Sequence, residues 1–332
     1  MKKLLYLSFL LLLSACNKDN EEVFALSYPD YFPAPVYTFK NNELTKEKFE
    51  LGRKLFYDGI LSSDNTVSCG NCHSQVHAFA DHNVTFSTGV NNGIGERNSP
   101  AITNMIWSPS FMWDGGVNHI EVFSLAPITN PVEMNETMAN VIDKLNQSGF
   151  YKSAFKKAYG TDEITDQLLF RALTSYMAMV VSSNSRYDLF RQGKVIFTPQ
   201  EVEGLQLFEQ KCASCHTAPL FTNYSFQNNG LDSEFTDLGR GRITLEEADN
   251  GKFKVPSLRN VELTYPYMHD GRFWSLEQVL DHYDHGIKQS ATLSNQLSSG
   301  IPMSAVEKQK IILFLKTLTD NKVISEFKFA PQ

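Results

Sequence analysis

Two short segments limit what this chain can become. "CGNCH" at 69–73 and "CASCH" at 212–216 each set two cysteines three positions apart, with a histidine directly after the second. The chain has 5 cysteines, and the fifth is Cys16, so none remains for a disulfide. C-x-x-C-H is the attachment signature of a c-type haem. Both cysteines form thioethers to the porphyrin vinyl groups, and the adjacent histidine reaches the iron from one side. A zinc site built from two C-x-x-C halves needs short separations, whereas here the first pair ends at 72 and the second begins at 212. The sequence therefore predicts two c-type haems, one attached at Cys69 and Cys72 with His73 as proximal ligand. The other is attached at Cys212 and Cys215 with His216.

The approaches to the two motifs repeat each other. "TKEKFELGRKLF" and "TPQEVEGLQLF" both run Thr, acidic residues, Gly, Leu, Phe. Phe49, Leu51, Leu55 and Phe56, and then Val202, Leu205, Leu207 and Phe208, recur at helical spacing. Thr198-Pro199 supplies a cap and a proline at the first helical position. The pattern predicts a mainly α chain of two related domains in tandem, 41–195 and 196–332, with the boundary near "RQGKVIFTPQ". Further helices are expected at 136–147, 164–181, 275–285 and 305–319. Long Gly-, Pro-, Asn- and Ser-rich stretches separate them, and continuous alternating strands are not evident. Helices and loops of this kind make a poor core unless a large prosthetic group fills it.

The start, "MKKLLYLSFLLLLSAC", joins two lysines to a short leucine-rich run. It reads as a secretory signal, too short for a membrane span. Leu13-Ser14-Ala15-Cys16 resembles a bacterial lipobox, so Cys16 is the expected lipidation site after a signal peptide of residues 1–16. An ordinary signal peptide with an incidental cysteine is the alternative. Residues 17–40 are expected to act as a tether that opens on the polar "NKDNEEV". The mature protein is then expected in the periplasm or cell envelope, attached to a membrane through lipid alone. Net charge is −7 and no basic run occurs, which argues against a nucleic-acid partner.

"CGNCH", "RNSPAITN", "FMWDGG", "PITNPVEM", "CASCH", "VPSLRNVELTYPYMHDGRFW" and "SLEQVLDHY", in this order, resemble the bacterial di-haem cytochrome c peroxidase family, including its MauG branch. The resemblance implies two cytochrome c-like domains whose haems face a shared interface, with hydrogen peroxide bound at the N-terminal haem. Glu133 matches the catalytic carboxylate, a general acid–base that takes a proton from peroxide and delivers it to the leaving oxygen. By itself a Glu at this place reads as a helix-start charge. Trp113 matches the tryptophan between the haems, suited to electron relay; by itself it reads as a core aromatic. Asn98, Thr264 and Pro266 match an interhaem calcium site of oxygen ligands. Homodimers are common in the family.

Departures from the family are as informative. Classical members carry a distal histidine at about the position of Val90, so the N-terminal haem is expected to be open without a reductive switch. His77 and His82 are expected as surface or loop residues, and His119 as solvent-facing. Phe123 replaces the usual Gln, which implies a drier pocket. Gln210 stands where the tryptophan-modifying member has its surface Trp, which counts against that specific activity.

In "SLEQVLDHYDHG", at 275–286, Ser275 and Gln278 form a capping box and Gly286 is a natural stop. At about 100° per residue, Leu276, Val279, Leu280 and Tyr283 share one face. His285 points nearly opposite and His282 lies on the flank. Tyr283 is thus the expected second axial ligand of the C-terminal haem, where other members have Met and the MauG branch has Tyr. A phenolate favours ferric and more oxidised iron where a thioether favours ferrous. A buried Tyr without an iron bond is the alternative. Three functions follow: a peroxidase fed by a small periplasmic donor such as cytochrome c, a MauG-like oxidase acting on a protein or aromatic substrate, and an electron carrier without catalysis.

Overall fold

The computed structural model describes residues 24–332. The expected signal segment with Cys16, and residues 17–23 of the expected tether, lie outside the described residues. The fold is helical with long loops. Among the described residues its one sheet is a pair of two-residue strands, Phe226–Gln227 antiparallel to Phe253–Lys254.

The sequence repeat is also a repeat of helix contacts. The Lys46–Phe56 helix crosses Asp166–Met177, and Pro199–Lys211 crosses Ala305–Lys316. Each crossing is made at a glycine. A Cβ on Gly52 would overlap the Ala172 carbonyl and lie 3.0 Å from Tyr176 Cβ; one on Gly204 would overlap the Lys310 carbonyl and lie 3.0 Å from Phe314 Cβ. Thr45 and Thr198 cap the two leading helices, the second through a capping box with Glu201, which satisfies orphan first-turn N–H groups. Asn104 and Asn260 also correspond. Both adopt left-handed φ, 59° and 63°, and donate backbone N–H groups to Val180 and Leu318, just beyond the closing helices.

Two apolar cores result. The first gathers Phe49, Leu55, Phe56, Ile106, Leu169 and Tyr176; the second gathers Phe208, Phe221, Ile311, Phe314 and Leu318. The expected helices appear at Met138–Gln147, Asp166–Met177 and Ala305–Lys316. A further helix, Gly149–Tyr159, follows immediately because Ser148 both ends one helix and caps the next.

Two boundaries differ from expectation. From residue 24 the expected tether is packed rather than free: Phe32 is buried in the first core and Phe24, Leu26, Tyr28 and Tyr37 lie against it. At the other end, Val323 and Phe329 join the first core and not the second. Tyr57 and Tyr176 donate to Phe329 O at 2.8 Å each, and Gln75 Nε2 donates to Glu326 O at 2.9 Å. The alternation of the last residues carries no sign of this return, since its partners lie far away in sequence.

A buried ion pair ties these pieces together. Arg259 holds Asp188 with two bonds of 2.9 and 2.8 Å, and both side chains are fully buried. Tyr31 OH donates to the same carboxylate at 2.7 Å, and the Arg259 guanidinium lies 4.8 Å from the Phe32 ring centroid. Burial pushes the Asp188 carboxyl up, but Arg259, Tyr31 and Ser185 outweigh it and hold the pKa below the ordinary value. Removing one partner strands the other charge in the interior. Asp188→Asn should therefore cost about 3–5 kcal/mol, read as a lowered thermal midpoint of the loaded protein, while Tyr31→Phe should cost about 1 kcal/mol.

Candidate active site

Both haem motifs fold as one tight turn. Cys69–Cys72 is a single helical turn opened by Ser68, whose N–H donates to Asn71 Oδ1 at 2.8 Å. His73 N–H closes it onto Cys69 O at 3.0 Å, and His216 N–H closes the second onto Cys212 O at 2.9 Å. Residues three apart on such a turn share a face, so each pair of thiols points to one side. All four cysteines are unbridged.

The two imidazoles are held alike. His73 Nδ1 bonds Phe79 O at 3.0 Å and His216 Nδ1 bonds Phe221 O at 3.1 Å. Both phenylalanines take left-handed φ, 61° and 54°, which turns each carbonyl back to the ring. With Nδ1 donating, Nε2 is left as the ligating nitrogen, the usual outer-shell arrangement for a metal-bound histidine. Burial pushes both imidazoles below their ordinary pKa, so they stand neutral, as ligation requires.

Each motif opens on a cavity. The larger, about 620 Å³, is bordered by Cys212, Cys215, His216 and Tyr283. The smaller, about 60 Å³, is bordered by Cys69, Cys72, His73 and Glu133. The larger volume and its mostly apolar wall suit a cofactor site. Among the described residues no three His, Cys, Asp or Glu side chains converge as a metal cluster, so the cysteine pairs do not combine as a zinc site would need. Two thiols and one imidazole with Nδ1 already bonded are the donor set for a covalently attached haem at each motif, and the larger space also has the volume for one.

Glu133 is fixed by its own turn. Asn130 Nδ2 donates to its carboxylate at 2.7 Å. Burial raises the Glu133 pKa above the ordinary value, and the Asn130 bond offsets part of that rise. Val90, buried, donates its N–H to Glu133 O at 2.8 Å. A Cβ on neighbouring Gly89 would overlap the Val132 and Glu133 carbonyls, so this loop clamps the backbone of Glu133. No second histidine borders this cavity. His77 and His82 stack on each other with centroids 3.2 Å apart, away from both cavities. Phe123 borders both spaces. His119 is exposed, and it caps a short 3-10 turn by accepting from Glu121 N.

Trp113 stands where the halves meet. Its Nε1 donates to Asn98 O at 2.8 Å, its carbonyl accepts Lys254 N–H at 2.7 Å, and Asn98 N–H donates to His269 O at 2.7 Å. Asn98, Thr264 and Pro266 come to the wall of the large cavity with it.

The 275–286 segment begins as expected, with the Ser275–Gln278 capping box. The α-helix ends at Asp281, however, and His282–Gly286 is one wider π turn. Such turns recur at functional sites. Tyr283 borders the large cavity, while His285 is exposed and beside Asp284. His282 is more deeply placed than the α phase implied: it is buried and its Nε2 bonds Asn229 O at 2.9 Å. Burial pushes the Tyr283 phenol up to about 12. Lys254, Met268 and His269 also border the cavity; no spacing rule marks them.

Residues 46–195 match the family model described as di-haem cytochrome c peroxidase. The chain is 36% identical over 296 residues to the methylamine utilization protein MauG of Methylorubrum extorquens, across 87% of this chain and 82% of that protein. It is 33% identical to the cytochrome c551 peroxidase of Nitrosomonas europaea, across 82% and 80%. The solved structure of a MauG-like protein associated with microbial copper homeostasis superposes with a TM-score of 0.85 at 31% identity, covering 93% of this chain and 99% of that one. The chain belongs to the di-haem cytochrome c peroxidase and MauG family, and carries that family's two c-type haems.

Proposed function

We propose that the chain is a peroxidase that reduces hydrogen peroxide to water at the smaller cavity. Its electrons enter through the larger one from a small c-type cytochrome of the cell envelope, where Cys16 anchors the chain by lipid. The observation that carries this is Glu133 on the wall of the His73 cavity, which has no second histidine. The haem at Cys69 and Cys72 would supply the electrons to the O–O bond. Glu133 takes the proton of the near peroxide oxygen and hands it to the far one, so that this oxygen leaves as water. Asn130 holds the carboxylate in place, and Phe123 and Met134 exclude water around it. Trp113 relays electrons between the halves.

Tyr283 on the wall of the second cavity favours a second reading, a MauG-like oxidase that keeps oxidising equivalents for a protein or aromatic substrate. In this reading Tyr283 ligates the haem held by Cys212, Cys215 and His216. A calcium ion between Asn98, Thr264 and Pro266 belongs to the same proposal, since calcium accepts amide and carbonyl oxygens.

Adding peroxide to the di-ferric protein, with and without reduced cytochrome c, separates the readings. Fast donor oxidation is expected; a persistent oxidised spectrum with slow donor turnover would favour the oxidase. Glu133→Gln should lower peroxide turnover by about 10²–10⁴-fold. The carboxylate form does the work, so the rate should fall as pH drops through the raised Glu133 pKa. Asn130→Ala removes the bond that holds this pKa down and should move that acid limb to higher pH; a limb that stays put rules out Glu133 as its source.

Tyr283→Phe should change the low-spin haem spectrum and raise that haem's potential, and an unchanged spectrum removes Tyr283 as a ligand. Metal analysis after exhaustive dialysis should find calcium in the native protein and less in Asn98→Ala; equal contents would place the ion elsewhere.

A further inference from the structure

The large cavity has no carboxylate on its wall. Besides histidines, three cationic side chains border it: Lys211, Lys254 and Arg259. Two have carboxylate partners. Arg259 holds Asp188 at 2.8 Å, and Lys211 lies 3.6 Å from Glu307. Lys254 has none. Its Nζ donates to the neutral carbonyl of Ser110 at 2.6 Å and lies 5.8 Å from the Phe111 ring centroid. Among the described residues no carboxylate oxygen comes within 4.0 Å of it.

This lysine is placed by regular structure. It sits on the strand Phe253–Lys254, paired with Phe226–Gln227, and its N–H is bonded to Trp113 O at 2.7 Å. Burial pushes its pKa down to about 8, with Asp114 offsetting part of that fall. A cation taken out of water without a counter-ion is destabilising, so the cavity calls for an anion. A haem is an apolar macrocycle that bears two carboxylates, and the wall matches it: apolar along most of its extent, free of acids, with one unpaired ammonium.

We propose that Lys254 is the counter-ion of a haem carboxylate at the second site, and that its charge sets the reduction potential of that haem. The inference rests on the reading that Cys212, Cys215 and His216 hold the second haem. An ammonium near the macrocycle disfavours the extra positive charge of ferric iron, so Lys254 acts as a positioning and tuning residue beside Trp113, where electrons cross between the halves.

Potentiometric titration with optical readout, with haem content measured on the same samples, tests this in the native protein, Lys254→Met and Lys254→Arg. In Lys254→Met the ferric/ferrous equilibrium of the second haem should move about tenfold toward ferric, a fall of about 59 mV for one electron. Lys254→Arg should stay close to the native potential. Loss of the second haem in Lys254→Met with retention in Lys254→Arg would also support the charge requirement. An unmoved potential in Lys254→Met overturns the proposal, and so does equal displacement or equal haem loss in both variants. Native protein without a haem at the second motif would instead overturn the reading on which the inference rests.

Discussion

Neither half of this chain fills its own interior. A space of about 620 Å³ lies between residues of both halves, from Asn98 and Trp113 on one side to His216 and Tyr283 on the other. The leading and closing helix of each half cross at a glycine. Gly52 and Gly204 let the leading and closing helices approach at backbone distance, so the motif that follows each leading helix arrives in a fixed place.

The halves are joined by polar contacts, some of which share residues with the larger cavity. Trp113 is bonded on one side to Asn98 and on the other to Lys254. Arg97 links Asp114 to Asp237 with bonds of 2.6 Å each, and Arg242 reaches the same Asp114 at 2.7 Å. Burial raises the Asp114 carboxyl, but Arg97 and Arg242 outweigh it and keep it low. The geometry between the cavities is thus set by directional, charged contacts, which tolerate less sliding than an apolar seam would.

Much of the candidate site was legible in the sequence because it is local. The two motifs, the threonine caps and the Ser275–Gln278 box are each written within a few residues, and they fold as their spacing implies. Helical phase placed Tyr283 toward the cavity even though the turn that carries it is wider than an α turn. The same assumption left His282 on the flank, whereas the π turn buries it. Asn98, Thr264 and Pro266 reach the cavity wall together, yet nothing local marks them apart from the family pattern. What failed was the non-local part. Phe24, Tyr28 and Phe32 lie in a stretch without helical or strand periodicity, so their burial was invisible. Lys254 carries no pattern at all; only the missing acid on the facing wall makes it conspicuous.

The return of the C-terminus to the first core has a consequence for the order of assembly. Residues 323–329 supply apolar side chains and backbone acceptors to a core that begins at residue 24. The first-made half is thus completed last. During synthesis its leading and closing helices can meet early, but the carbonyl that holds Tyr57 and Tyr176 arrives only with residue 329. A chain clipped before residue 323 would keep both haem motifs and still lack part of the core of the half that contains Glu133.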